Sequence, residues 1–401
     1  MKYFAALLLI LSSLVQAAEE TQTLIYTPNN DVTTHSKIAL DAVDITSAID
    51  AGLYTTALDI YSNPNGTNRP GKNFEMMAQL DWAAAGIKDV QDYDRYAALF
   101  SKVDGEPYLD KYFLDAINCE GTFAGSSRQL CDMSAKKNLF CTLQSYALYE
   151  GVKTIQMGAE KTWDELFAFW NGVYDETVDD RVEAGAPGAV QKSRDTDFGT
   201  SFRQDSIQAL IDGQKAFVGK PAGEPDREAL TKAYNAYKRA SVGTWAQATL
   251  KYAALFDQET DPSTIDGKWA EGYTYFRCGA GLMNAELAVY TDWQFDPRGK
   301  NTTAYVATVD ESERMVCKIL KKMLAVPEIG YGLQVDDLNL ENYAKLSNIK
   351  DVCGIESFEH VDGQSSYSSS KSGSERVWIP FLGLLVVVLI YIVGFRKAKR
   401  D

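Results

Sequence analysis

The chain has 401 residues, with 40 lysines and arginines against 55 aspartates and glutamates, and a formal net charge of −15. Such an acidic chain repels polyanions, which argues against nucleic acid as a partner. The sequence contains two histidines, His35 and His360, and no zinc-protease, nucleophile-elbow, P-loop or dinucleotide-binding motif. We therefore predict that the protein is not an enzyme.

The amino-terminal residues predict a secretory signal peptide over 1–18. Met1-Lys2 precedes an apolar stretch, and Ala17 and Ala18 then precede two glutamates, the order of charge, apolar core and small-residue cleavage site that such signals share. Glycan-acceptor triplets begin at Asn65 and Asn301 and agree with a secretory route.

Six cysteines follow in the predicted outward part of the chain. An even count in a secreted protein implies up to three disulfides, and spacing alone leaves fifteen connectivities open. We predict one local pair, one pair that joins the two halves of the chain, and one pair near the end of the domain: Cys119–Cys131, Cys141–Cys278 and Cys317–Cys353.

Helical periodicity is much commoner than strand alternation, so the fold class that we predict is mainly α. Thr162 is the predicted N-cap of a helix with Glu165 at its third position, and Gly172 weakens the end of that helix. Apolar residues recur at helical spacing over 206–217, 226–256 and 311–324 as well.

The chain also resembles itself, which predicts two tandem homologous helical repeats over 19–200 and 201–361. The sequence Tyr-Ala-Ala-Leu-Phe at 96–100 recurs at 252–256, and Glu150-Gly151 recurs as Glu271-Gly272. The two spacings differ, so the first repeat contains an insertion near 113–147. Because three cysteines lie there, we predict a loop that disulfides hold in place.

The last 40 residues predict a tether to a membrane. Serine and glycine dominate 362–376, as in a flexible stalk. Residues 377–395 carry no charge and are long enough for a transmembrane helix, and the basic tail 396–401 is typical of the cytoplasmic side. We therefore predict a single-pass type I protein of the plasma membrane with an extracellular domain.

Oxygen donors offer the clearest candidates for a binding site. Carboxylates and tyrosine phenolates suit hard cations such as ferric iron, and several of them share a helical face near the repeated Glu-Gly motif. The alternative interpretation is ordinary: aromatic stripes at this spacing usually belong to a core, and Glu165 caps its helix. The predicted metal ligands are Tyr146, Tyr149, Glu150, Asp164, Glu165, Glu271, Tyr275, Glu286 and Tyr290.

Arginines supply candidates for an anion site. Arg194 and Arg277 are the predicted anion-binding residues, because a guanidinium group binds planar oxyanions such as carbonate. Arg181 and Arg203 lie in the same part of the chain as Arg194. The alternative is that these arginines pair with neighbouring aspartates.

A family resemblance rests on three short stretches of sequence. Residues 149–151 read Tyr-Glu-Gly, residues 163–172 contain Trp-Asp-Glu and Phe-Trp-Asn-Gly, and residues 187–198 contain Pro-Gly, an arginine and Asp-Phe. This pattern resembles the algal iron-assimilating proteins: the low-iron-inducible periplasmic proteins and their membrane-anchored relatives, the phytotransferrins or iron-starvation-induced proteins. The resemblance covers about 40–345, and Gly188 departs from the aromatic residue of several members.

The resemblance implies ferric iron binding at the cell surface, assisted by carbonate, and uptake by endocytosis into endosomal vesicles. It transfers no ligand set, so the residues above remain an independent prediction. The main alternative is a helical surface receptor or adhesion domain that binds a protein or glycan without metal. A third hypothesis is a surface enzyme, such as a ferric reductase partner or a hydrolase. The six-residue tail implies that an endocytic partner, or the span itself, directs sorting.

Overall fold

The computed structural model describes residues 24–63, 68–88, 91–104, 107–172, 185–261, 263–295 and 314–358. The predicted signal peptide, stalk, membrane span and tail lie outside these residues, as do Asn65, Asn301, Arg181 and His360. Every described residue belongs to one compact unit, which extends to His360. The predicted boundary between the repeats falls inside this unit and stays a prediction.

The mainly helical fold class is confirmed. Across the ranges just given, the structure contains no β-strand, only an isolated bridge between Gly330 and Leu333. None of the helices in those ranges is both long enough and apolar enough to cross a membrane. The helices, numbered in chain order, are α1 Thr33–Ser36, α2 Ile38–Asp50, α3 Tyr54–Ser62, α4 Phe74–Ala78, α5 Gln91–Asp104, α6 Tyr108–Asn118, α7 Arg128–Met157, α8 Glu160–Asn171, α9 Pro187–Phe198, α10 Phe202–Lys215, α11 Arg227–Gln258, α12 Ile265–Gly279, α13 Ala285–Phe295, α14 Met315–Ala325 and α15 Ile349–Cys353.

Side-chain caps start the two longest helices. Ser127 accepts a hydrogen bond from the backbone N–H of Leu130 at the start of α7, and Asp226 accepts one from Ala229 at the start of α11. The predicted cap at Thr162 is wrong, because α8 already begins at Glu160 and the Thr162 hydroxyl donates to the carbonyl of Ala159 instead. Free of a capping role, Glu165 is available for other contacts.

The disulfide prediction is confirmed in all three pairs, whereas the predicted loop near 113–147 is wrong. The bonds join Cys119–Cys131, Cys141–Cys278 and Cys317–Cys353. Most of 113–147 is helical, because it contains the end of α6 and the larger part of α7. The cysteines therefore fasten packed helices to one another rather than a loop to the surface.

Five helices form the centre of the molecule. Helix α7 packs between α8 and α12, and α11 packs between α10 and α12. The disulfide Cys141–Cys278 crosses from α7 to α12. Since α7 has 30 residues at about 1.5 Å rise per residue, it is about 45 Å long.

The repeated Glu-Gly motif marks places where an aromatic ring packs against a helix backbone. A Cβ atom on Gly151 would lie 2.3 Å from the Tyr234 ring, and one on Gly272 would lie 2.9 Å from the Phe295 ring. Close packing therefore favours glycine at both positions, and more strongly at Gly151. The glutamate before each glycine is buried, and the two glutamates lie in different clusters of polar side chains.

Candidate functional site

The first cluster surrounds the carboxyl-terminal half of α7. Tyr146, Tyr149, Glu150 and Lys153 lie on α7, and α8 contributes Glu165. From distant parts of the chain, α1 contributes His35, and the segment between α3 and α4 contributes Arg69 and Lys72. We call this set the first cluster: His35, Arg69, Lys72, Tyr146, Tyr149, Glu150, Lys153 and Glu165.

Charged contacts hold the two carboxylates of the first cluster. His35 Nε2 lies 3.1 Å from Glu165 Oε1, and Lys153 Nζ lies 3.0 Å from Glu150 Oε2. His35 Nδ1 is buried and has no hydrogen-bond partner among the described residues. One nitrogen of this imidazole thus remains available to a ligand.

Aromatic and cationic groups cover the other side of the first cluster. The Tyr146 and Tyr149 rings lie 5.4 Å apart, and Lys72 Nζ contacts the Tyr146 hydroxyl. The Arg69 guanidinium lies 5.2 Å from the centre of the Phe169 ring, and Phe169 in turn packs edge-on against Tyr146. Burial and the charges of Glu150 and Glu165 raise the pKa of Tyr149, although Lys153 opposes the rise, so its phenol is neutral until a metal displaces the proton.

Burial changes the proton affinity of these groups. Burial and the nearby charge of Glu165 raise the pKa of Glu150 to about 7, although Lys153 opposes the rise. Burial acts to raise the pKa of Glu165 too, but the hydrogen bond from His35 lowers it overall. Burial and the charge of Arg69 lower the pKa of Lys72 to about 8. Near neutral pH, a cation in the cluster therefore competes with a proton on Glu150 as well as with the protons of the phenols.

Asp164 faces away from the first cluster. Its carboxylate accepts hydrogen bonds from the Tyr26 hydroxyl and from the backbone and side-chain amides of Asn30, both at 2.8 Å. It therefore binds the amino-terminal segment to α8. Neighbours on a helix point in different directions, which explains why Glu165 enters the cluster and Asp164 does not.

The second cluster lies around the repeated glutamate. Glu271 Oε1 lies 3.2 Å from Lys137 Nζ, and its Oε2 lies 3.7 Å from Lys268 Nζ. The Tyr275 ring lies 5.4 Å from the Tyr252 ring. The set that we call the second cluster comprises Lys137 of α7, Arg194 and Asp197 of α9, Lys251 and Tyr252 of α11, and Lys268, Glu271 and Tyr275 of α12.

The two predicted anion-binding arginines lie in different places. Arg194 belongs to the second cluster, where its Nη2 lies 2.9 Å from Asp197 Oδ2. Arg277 is fully buried, with its guanidinium carbon 3.9 Å from the ring centres of both Phe100 and Tyr112. Arg277 therefore packs as a stacked core residue, and the structure places neither arginine in the first cluster.

Glu286 and Tyr290 lie apart from both clusters. The Glu286 side chain is 72% exposed and pairs with Lys322 on α14, whereas the Glu271 side chain is 7% exposed. The Tyr290 ring contacts Trp293 on the same helix. Of the nine predicted ligands, the structure thus brings four into the first cluster and two into the second.

Sequence reasoning missed most of the cationic residues of both clusters. Lys153 lies three positions after Glu150 and could have been found from helical spacing. Tyr252 opens the second copy of the repeated Tyr-Ala-Ala-Leu-Phe sequence, which was a usable signal. His35, Arg69 and Lys137 reach their clusters only through tertiary packing, which no local pattern reveals.

The donor set decides which metals these clusters suit. Among the described residues, no group of three or more His, Cys, Asp or Glu side chains is arranged to hold a metal ion. A metal in the first cluster would therefore need tyrosine oxygens beside the two carboxylates and the imidazole. Phenolate and carboxylate donors together suit ferric iron better than zinc or copper.

Fold and sites define a helical, disulfide-linked protein with two buried clusters of phenolic and charged side chains. The low iron-inducible periplasmic protein family matches the chain over residues 3–224, more than half of its length. The protein belongs to this family. Comparison with curated proteins gave no match, and comparison with solved structures gave none either. All of the first cluster lies within the matched range, whereas Lys251, Tyr252, Lys268, Glu271 and Tyr275 of the second cluster lie beyond it.

Proposed function

We propose that the protein captures ferric iron at the cell surface and that the first cluster is the binding site. The observation that carries the proposal is the convergence of two phenols, two carboxylates and an imidazole inside the part of the chain that matches an iron-responsive family. Iron is the cargo of this site, and the protein performs no chemistry on it.

In the proposed complex, Tyr146, Tyr149, Glu150 and Glu165 supply oxygen and His35 supplies nitrogen. Binding releases protons from the phenols, because a metal takes the deprotonated form of each ligand. Arg69 and Lys72 provide positive charge for those phenolates and for a carbonate ion bound with the iron. These two residues take the role that the sequence suggested for Arg194 and Arg277.

The proposed route of uptake joins this site to the predicted membrane tether. Residues 377–395 keep the loaded protein on the plasma membrane, and endocytosis carries it into vesicles. Acidification then protonates Glu150, whose pKa is about 7, and iron affinity falls. In this proposal a surface reductase and an endocytic partner complete the route of uptake. The second cluster is the diverged counterpart of the first in the predicted tandem repeat.

A ferric titration of the metal-free, full-length protein tests the proposal. With bicarbonate present, we expect a visible phenolate-to-iron absorption band and micromolar or tighter affinity. The double variant Glu150→Gln, Glu165→Gln should weaken binding about 100-fold or more, since it removes both carboxylate donors. Glu271→Gln is the matched control, because it changes the other repeated glutamate.

Two outcomes contradict different parts of the proposal. If the wild-type protein takes up no ferric ion, the iron-capture function is wrong. If Glu271→Gln weakens binding as much as the double variant, iron capture survives but its assignment to the first cluster is wrong.

A further inference from the structure

The second cluster carries more positive than negative charge. Among the described residues, its four cations Lys137, Arg194, Lys251 and Lys268 face only two carboxylates, Asp197 and Glu271. The Arg194 and Lys251 side chains are 6% and 14% exposed. The Lys137 and Lys268 side chains are 21% and 34% exposed, so water solvates part of the excess charge. The two most buried cations, Arg194 and Lys251, share the single carboxylate of Asp197, and a negatively charged ligand beside them would be stabilising.

The cations converge on one aromatic ring. The centre of the Tyr252 ring lies 5.8 Å from the guanidinium carbon of Arg194 and 5.8 Å from the ammonium nitrogen of both Lys251 and Lys268. The centre of the Tyr275 ring lies 5.4 Å from the centre of the Tyr252 ring and 5.5 Å from Lys137 Nζ. Four helices, α7, α9, α11 and α12, thus bring cations to a pair of adjacent tyrosine rings.

Arg194 has hydrogen-bonding capacity left for a ligand. Its Nη2 donates to Ser193 Oγ at 2.9 Å and contacts Asp197 at 2.9 Å. Its Nε and Nη1 are buried and have no hydrogen-bond partner among the described residues. A buried donor without a partner costs about 1–3 kcal/mol, so a ligand oxygen at this place would be stabilising.

Each carboxylate here pairs with two lysine or arginine side chains, whereas Glu150 in the first cluster pairs with Lys153, so a metal is less favoured here. Lys137 and Lys268 approach the two oxygens of Glu271, and Arg194 and Lys251 share Asp197. A metal ion would have to displace these cations, whereas an anion would add to them.

We propose that the second cluster binds a small, doubly charged oxyanion of the phosphate and sulfate class, independently of iron. Arginine and lysine are the side chains that bind such oxyanions by charge-assisted hydrogen bonds. Two negative charges balance the excess of two cations, and the oxygens of a tetrahedral ion can accept from Arg194 and the lysines together.

Calorimetric titration of the metal-free, full-length protein with inorganic phosphate tests this proposal. We expect saturable binding at least tenfold tighter than that of chloride or bicarbonate, with sulfate competing. Arg194→Gln should weaken phosphate binding at least tenfold, and Lys153→Gln, a lysine of the first cluster, should leave it within twofold. Should Arg194→Gln fail to fold, Lys251→Gln serves as the second variant and is expected to weaken binding in the same direction.

Three results would overturn the proposal. They are phosphate binding no tighter than chloride or bicarbonate binding, phosphate binding that requires iron, and equal losses from Arg194→Gln and Lys153→Gln. The test separates this site from iron capture, because it is made without metal. A protein that binds phosphate but no iron would support this inference and contradict the proposed function.

Discussion

The two clusters start from the same local sequence and reach different chemistry. Each contains a buried glutamate that precedes a glycine in a helix, and each contains tyrosines and lysines. In the first cluster burial, together with the charge of Glu165, raises the pKa of Glu150. In the second cluster two lysine or arginine side chains pair with each carboxylate.

This difference shows that the recurring Glu-Gly sequence determines how each helix packs, but does not determine what each cluster binds. Gly151 and Gly272 both admit a ring against the helix, whereas the groups opposite the glutamates come from other helices. Two nearby carboxylates favour a cation between them, whereas a group in which cations outnumber carboxylates favours an anion.

Removing phenol oxygens should separate the clusters most strongly. The pair Tyr146→Phe, Tyr149→Phe keeps the rings but removes two proposed ligands, so ferric affinity should fall about 100-fold or more and the visible band should disappear. The matched pair Tyr252→Phe, Tyr275→Phe should leave affinity within threefold. Ferric titration with absorption spectroscopy measures both, and a lost band in the second pair alone would reverse the assignment of the clusters.

Alanine at the two motif glycines should test how closely the helices pack. In Gly151→Ala the new Cβ atom would lie 2.3 Å from the Tyr234 ring. In Gly272→Ala the new Cβ atom would lie 2.9 Å from the Phe295 ring. We expect Gly151→Ala to lower the free energy of unfolding by about 2–3 kcal/mol. For Gly272→Ala we expect about 1 kcal/mol or less, because better helix propensity offsets part of the overlap.

Chemical denaturation of the metal-free protein measures this difference. Gly52→Ala is unsuitable as a control because Gly52 has a positive φ of 71°. Gly267, whose nearest neighbour is the flexible Gln129 side chain at 3.1 Å, is a suitable one. Equal losses at Gly151 and Gly272 would mean that the two helix contacts are equally tight.

Acidification should weaken iron binding through the first cluster. Glu150 has a pKa of about 7, so it is mostly ionised at pH 8 and mostly protonated at pH 6. Each pH unit below 7 therefore costs about 1.4 kcal/mol, a tenfold loss of ferric affinity for this one proton. Ferric titrations from pH 8 to pH 5.5 measure the slope.

The matched measurement uses Glu150→Gln, which has no proton to gain at this position. Its affinity should be lower at pH 8 and should lose less than the wild type between pH 7 and pH 6. An unchanged slope in this variant would show that another group controls release.

The sequence predicted the parts of the molecule that depend on local pattern. Helical periodicity located α10, α11 and α14 to within a few residues, and the secreted context correctly suggested three disulfides. The predicted cap at Thr162 was wrong because the position of a cap depends on where the chain turns before the helix, and that turn lies at Ala159.

Only the part of the candidate site that lies on one helix could be predicted, because only that part depends on local pattern. Tyr146, Tyr149 and Glu150 share a face of one helix, so spacing alone groups them. His35 reaches Glu165 across 130 positions of sequence, and Lys72 reaches Tyr146 from a segment between two other helices. Contacts of this kind are set by packing of whole helices, and no residue near them in sequence indicates them.

The smallest effect is expected on α13, which carries the predicted ligands Glu286 and Tyr290. Glu286 is mostly exposed and pairs with Lys322, so solvent screens its charge and the ion pair contributes little. The double variant Glu286→Gln, Tyr290→Phe should change ferric affinity less than twofold and the free energy of unfolding by less than about 0.5 kcal/mol. Ferric titration and denaturation measure both quantities, with Lys322→Gln as the control for the ion pair. A tenfold loss of iron affinity in the double variant, with Lys322→Gln unchanged, would mean that α13 joins the iron site. The comparison of two clusters would then have to include a third.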